Sequence, residues 1–156
     1  MITNAMRLLR AAKIPFEVRE YEVDENDLSG VHIAESLGIS PDCMFKTLVS
    51  RGASGNIYVF CIPAAEELDL KKCAALVREK SIEMVHVKEL LALTGYIRGG
   101  CSPVGMKKKY PTYMDETATL FSPIYVSAGV RGAQLVIDPE VLASFAEITF
   151  ADLTKY

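Results

Sequence analysis

The chain alternates between two hydrophobic periods. After Thr3, a capping residue type, Ala5, Leu8, Leu9 and Ala12 recur at helical spacing, which predicts a first helix stopped by Pro15. Residues 16–21 then read as a strand, 24–30 as a polar loop, and 31–37 as a short helix closed by Gly38, with a new turn at Ser40-Pro41. Two β-rich runs follow, residues 45–50 and 57–62, and the linker RGASGN has the glycines of a hairpin connection. Both runs are apolar enough to predict central strands. Helical spacing returns at Leu70, Cys73, Ala74 and Val77 behind Asp69, a capping residue type, and again over residues 87–94, where Gly95 ends the pattern. From Thr112 the chain reads as strands, with residues 124–127 and 134–137 flanking a glycine turn. Asp138-Pro139 then opens a last helix carrying Val141, Leu142 and Phe145, and residues 148–150 form a candidate edge strand.

Adjacent hairpins with helices between them predict an α/β (α+β) fold: a mixed β-sheet or partly closed barrel flanked by helices, not a regular βαβ repeat. At 156 residues, with no repeat, low-complexity tract or linker, residues 1–156 are expected to form one domain. No apolar run is long enough to cross a bilayer and the N-terminus lacks the regions of a signal peptide, so a cytoplasmic protein without a membrane partner is expected. Cys43, Cys61, Cys73 and Cys101 include no CxxC pair and only His32 and His86 accompany them, which argues against a zinc site; no metal or other cofactor is expected. Cys61 and Cys73 read as small hydrophobes. Cys101 lies inside a glycine turn and is a candidate reactive thiol, although no base stands at a recognisable spacing. A net charge of −3 argues against gripping nucleic acid through phosphate neutralisation alone. A local basic face from Lys107, Lys108, Lys109, Arg98, Lys46 and Arg131 is one reading of the cations; a solvated lysine loop is the other.

Chemistry concentrates in two glycine turns, GYIRGGCSPVG at residues 95–105 and SAGVRG at 127–132. Without a Cβ, Gly99 and Gly100 are able to present bare amides to a ligand, and two such turns suit a site for an anionic or carbonyl oxygen. Ordinary hairpin turns remain the alternative.

The blocks FKTLV at 45–49, LDLKK at 68–72, GYIRGGCSPVGMKKKYPT at 95–112 and YVSAGVRG at 125–132 occur in an order that resembles the YbaK family of free-standing aminoacyl-tRNA deacylases, relatives of the editing domain inserted in some bacterial prolyl-tRNA synthetases. The resemblance covers nearly the whole chain. It implies a trans-acting editor that removes cysteine from mischarged tRNA(Pro), and in some members from tRNA(Cys), with the aminoacyl-tRNA acceptor end as substrate and prolyl-tRNA synthetase as partner in a transient ternary complex. It further implies a substrate-assisted reaction in which the cysteine thiol attacks its own ester carbonyl, leaving Cys101 unnecessary. Lys46 matches the family's lysine in FKT, implied to hold the terminal phosphate or ribose, and Gly99 with Gly100 matches the backbone environment of the oxyanion. Thr47 and Ser127 match hydroxyls that orient substrate, and Tyr21 matches a tyrosine of the pocket wall. Arg131 is a further candidate phosphate contact on charge grounds. Two departures bear on pocket shape: Leu28-Ser29 replaces an aromatic residue found in relatives, and Gln134 stands where some members carry aspartate. Two other readings stay open: a deacylase for another small aminoacyl ester such as Ala-tRNA(Pro), and a non-catalytic module binding a nucleotide or metabolite.

Overall fold

The computed structural model describes residues 2–155. Its elements run α1 (Asn4–Ala11), β1 (Glu17–Glu20), α2 (Gly30–Leu37), β2 (Phe45–Gly52), β3 (Ile57–Pro63), α3 (Leu70–Val77), β4 (Ile82–Met84), α4 (Val87–Thr94), β5 (Thr112–Asp115), β6 (Ile124–Ser127), β7 (Ala133–Ile137), α5 (Pro139–Ala146) and β8 (Ile148–Ala151). The strands form a five-stranded sheet in the order β4-β2-β3-β5-β8 and a three-stranded sheet in the order β1-β7-β6. The larger sheet is mixed, with β5 parallel to both β3 and β8. The smaller is antiparallel throughout.

β3 shows why its sequence reads as unbroken apolar: both of its faces are covered. Val59 and Cys61 join the main core, which also takes Phe45 and Val49 of β2, Met114 of β5, Val126 of β6, Leu135 and Ile137 of β7, and the inner stripes of α1 and α5. The alternate residues Tyr58, Phe60 and Ile62 pack against Cys73 and Ala74 of α3 and against Leu153. A third cluster joins Ile33, Ala34 and Leu37 of α2 to Met44 and Ala64, with Tyr21 and Tyr125 against it. The sheets approach at β2 and β6, where an isolated parallel bridge pairs Met44 with Tyr125. The barrel is not closed there, and the gap beside this bridge holds the candidate site.

Helix boundaries follow local chemistry. Asp69 accepts from the amides of Lys71 and Lys72 at 3.0 and 3.1 Å, and Asp138 from those of Glu140 and Val141 at 2.8 and 3.3 Å. α4 ends on Gly95 at φ +85°, a left-handed conformation open to glycine at little steric expense. The sequence pattern does not reveal β4. This three-residue edge strand buries only Ile82, too little periodicity to register.

The first glycine turn follows α4, the second joins β6 to β7, and the two dock backbone to backbone. A Cβ on Gly100 would lie 3.0 Å from the Arg131 amide nitrogen and 3.0 Å from the Val130 carbonyl carbon. Buried Tyr96 braces the same junction: its ring would meet a Cβ on Gly129 at 2.9 Å, and its hydroxyl donates to the Val104 carbonyl. Gly100→Ala therefore forces backbone apart, and we expect a loss of about 1–3 kcal/mol. Thermal denaturation checks this as a lowered Tm; an unchanged Tm contradicts it.

Candidate active site

The site begins with the ladder of β2. Met44 and Gly52 exchange backbone bonds toward the β3 side, with Ala64 N–H donating to Met44 O at 2.8 Å and Gly52 N–H to Asn56 O at 2.9 Å. Antiparallel alternation therefore aims the N–H and C=O of the odd-numbered residues away from β3. Val49 O meets Val85 N–H on that side at 3.2 Å, whereas β4 pairs only with residues 50–52. The polar backbone of Thr47 consequently faces the gap between the sheets.

Side-chain direction follows the same alternation. Met44 packs on α2, so Lys46, two residues on, emerges on that face of β2, while Thr47 turns inward to Cys61 with Oγ1 and Sγ 3.7 Å apart. In the smaller sheet Leu135 enters the main core, leaving Gln134 on the opposite face, directly across from Ser127 in the ladder. Extending the parallel Met44–Tyr125 register by two residues along each strand brings Lys46 to the same level as Ser127. Lys46, Ser127 and Gln134 thus form one row across three strands. They reach that row from segments far apart in the chain.

Around the row lies a cleft of about 490 Å³. Its walls are residues 26–30 and Ile33 of α2, Met44 with residues 45–49 of β2, residues 84–87 with Leu90, and Arg98, Gly99 and Cys101 of the first glycine turn, completed by Ser127 and Gln134. Four of the seven residues given a catalytic or substrate-binding role in the sequence, Lys46, Thr47, Gly99 and Ser127, line this one cleft. Tyr21 does not; it packs behind the wall, against the α2 cluster.

Two expectations are corrected by hydrogen bonding. The Gly100 amide is not a free donor, because it donates to Ile97 O at 2.9 Å, and the residue serves instead as the close contact between turns. Arg131 lies outside the cleft lining: its Nε donates to Arg98 O at 2.8 Å and its Nη1 pairs with Glu25 Oε2 at 3.0 Å. That guanidinium ties the two turns to the 24–30 loop. Of the lysine run, Lys109 pairs with Glu147, and the Lys107 stem lies over Gly95.

Burial pulls the Lys46 ammonium below the ordinary lysine range, opposed by the carboxylates of Glu67 and Glu66. Burial also pushes the Cys101 thiol up to about 11 and Cys61 to about 12. A raised pKa keeps both thiols protonated, and weakly nucleophilic, well above neutral pH. The wall formed by Met84, Val85, His86, Val87 and Leu90 was missed in the sequence, since it depends on β4 docking at the edge of β2. Gln134 stands out in the sequence only as a departure; in the structure it is 4% exposed and its Oε1 has no hydrogen-bond partner among the described residues.

The open two-sheet fold with a cleft at its seam is that of an aminoacyl-tRNA editing domain. The sequence profile of the aminoacyl-tRNA editing domain family matches residues 29–145, and the chain belongs to that family. It is 49% identical over 152 residues to EbsC of Enterococcus faecalis, provisionally assigned as a Cys-tRNA(Pro)/Cys-tRNA(Cys) deacylase, covering 97% of this chain and 93% of EbsC. A proline–tRNA ligase of Treponema pallidum is 31% identical over 116 residues, which cover 68% of this chain and 19% of the ligase. A solved structure provisionally assigned as a trans-editing enzyme for prolyl tRNA synthetase superposes with a TM-score of 0.84 at 25% identity, covering 100% of this chain and 99% of the other. No helix among the described residues is long and apolar enough to cross a membrane.

The cysteine environment yields a direct expectation. At mildly alkaline pH iodoacetamide leaves Cys101 unmodified in the native protein and alkylates it once urea exposes it, as peptide mass spectrometry reads. Rapid native labelling of Cys101 contradicts its burial as a neutral thiol.

Proposed function

We propose that this editing enzyme acts in trans on Cys-tRNA(Pro), and that it works by holding the aminoacyl end while the substrate supplies the nucleophile. The observation that carries the reading is the row of Lys46 and Ser127 in the same cleft as Gly99. The Lys46 ammonium is the group for the ribose–phosphate end of the terminal nucleotide, as a compact cation with three donors. Gly99, at φ +84°, brings backbone rather than side chain to the ester carbonyl.

In the reaction the cysteinyl sulfur bonds to its own carbonyl carbon, the ester C–O bond breaks, and the thiol proton ends on the departing ribose oxygen. The products are a cyclic thioester and uncharged tRNA. The neutral thiol of Cys101 in its wall fits a cleft that positions and does not attack. Held near the attack geometry, an intramolecular step gains up to about 7–11 kcal/mol, so positioning alone supplies much of the rate. A second sieve is chemically necessary: a pocket for one small side chain discriminates against a similar one by only about 1–3 kcal/mol.

A net charge of −3 leaves little attraction for the body of a tRNA, so in this reading tRNA selection falls to prolyl-tRNA synthetase in a transient ternary complex in the cytoplasm. The test is a panel of Cys-, Ala- and Ser-tRNA(Pro), each with and without the synthetase. Cys-tRNA(Pro) is expected to be cleared fastest, and faster with the synthetase present. Clearance no faster than buffer in both conditions overturns the proposal. Equal clearance of Ala-tRNA(Pro) overturns thiol self-attack, since alanine has no thiol. Lys46→Ala is expected to lose about 10–100-fold in kcat/KM, the worth of a hydrogen bond to a charged group, while its circular dichroism and Tm stay native.

A further inference from the structure

We propose that the carboxamide oxygen of Gln134 is the acceptor for the α-amino group of the aminoacyl ester, a subsite that rests on the deacylase reading above. Gln134 is 4% exposed, lines the cleft, and its Oε1 has no hydrogen-bond partner among the described residues. Buried side-chain acceptors are nearly always satisfied, and an unpartnered one in the wall of a ligand-sized cleft marks a place for a ligand donor, which a turn of the carboxamide about its last side-chain bond exposes to the cleft.

No neighbouring donor among the described residues bonds to this oxygen. Ser127, directly across the ladder, accepts from the Gly129 amide at 3.2 Å. Arg19, opposite Gln134 on β1, donates to Leu37 O at 3.0 Å and lies 3.5 Å from the Tyr125 hydroxyl. Asp27 is the carboxylate among the lining residues, and it is an exposed one that accepts from the Ser29 amide at 3.0 Å.

The row also has a polarity. Lys46 stands at one end, where an ammonium repels cations and attracts phosphate or ribose oxygens; Gln134 stands at the other, offering a neutral oxygen. β6 and β7 lie one strand spacing apart, about 5 Å, and the open seam between β6 and β2 adds at least as much again, a span that accommodates the reach from an amino acid's α-nitrogen across its ester to the ribose–phosphate. An aminoacyl nucleotide therefore lies along the row with its amino group at Gln134. The amino group is the donor of choice, because a thiol donates weakly and the self-attack reaction needs it free.

The probes are two unreactive amide-linked analogues, 3′-cysteinylamino-3′-deoxyadenosine and its 3-mercaptopropionyl counterpart, which differ only by the α-amino group. Calorimetry with wild type and Gln134→Met gives a four-way comparison that does not depend on turnover. Wild type is expected to bind the cysteinyl analogue about tenfold more tightly than the desamino one, and Gln134→Met to erase that preference without weakening the desamino analogue. Gln134→Glu retains an acceptor and is expected to keep the preference, which leaves the proposal testable should the methionine variant fail to fold. A wild type that binds both analogues alike overturns the subsite, as does a preference that survives in Gln134→Met. Clearance of Cys-tRNA(Pro) by that same wild type then shows the deacylase reading intact and the subsite alone wrong.

Discussion

The arrangement depends on the absence of one methyl group. Gly100 lies flush against the Val130–Arg131 backbone, and that contact seats the loop after α4 on the turn between β6 and β7. With the turns together, Gly99 and Cys101 reach the cleft that Ser127 and Gln134 enter from the sheet side. Tyr96 and Arg131 reinforce the junction, the first from within the core and the second across the surface to Glu25. The start of α1 is tied in as well, through the hydroxyl of its cap Thr3 donating to Ala128 O.

The second constraint is the incomplete barrel. Closing β2 onto β6 along their length would satisfy the outward backbone of β2 and abolish the cleft. One bridge at Met44–Tyr125 fixes the relative register of the sheets and leaves the remainder open. The gap therefore combines strand-edge backbone, a half-buried lysine and one neutral thiol within a mostly apolar wall, where each polar contact counts for more than in water. Such a site suits a reaction whose nucleophile arrives with the substrate.

Much of this was legible in the chain. Asp69, Asp138-Pro139, Gly38 and Gly95 mark helix ends through interactions within a few residues, and the structure places helix boundaries beside each. The β2–β3 hairpin was legible because its turn and both strands are contiguous. The row of Lys46, Ser127 and Gln134 was not, since it arises from a bridge between segments about eighty residues apart in sequence. Arg131 and Gly100 looked like ligand contacts because residue type alone does not tell whether a guanidinium or an amide is already engaged. β4, with one buried side chain, becomes visible only through its pairing with residues 50–52 of β2.

The central claim is that the aminoacyl end of a tRNA lies in the seam between the sheets, between Lys46 and Gly99. The structure of the protein bound to an amide-linked cysteinyl mimic of the tRNA acceptor end tests it most directly. The account predicts ribose–phosphate oxygens at the Lys46 ammonium and the acyl carbonyl beside Gly99. A mimic bound on another face of the molecule, with this cleft empty, would contradict it.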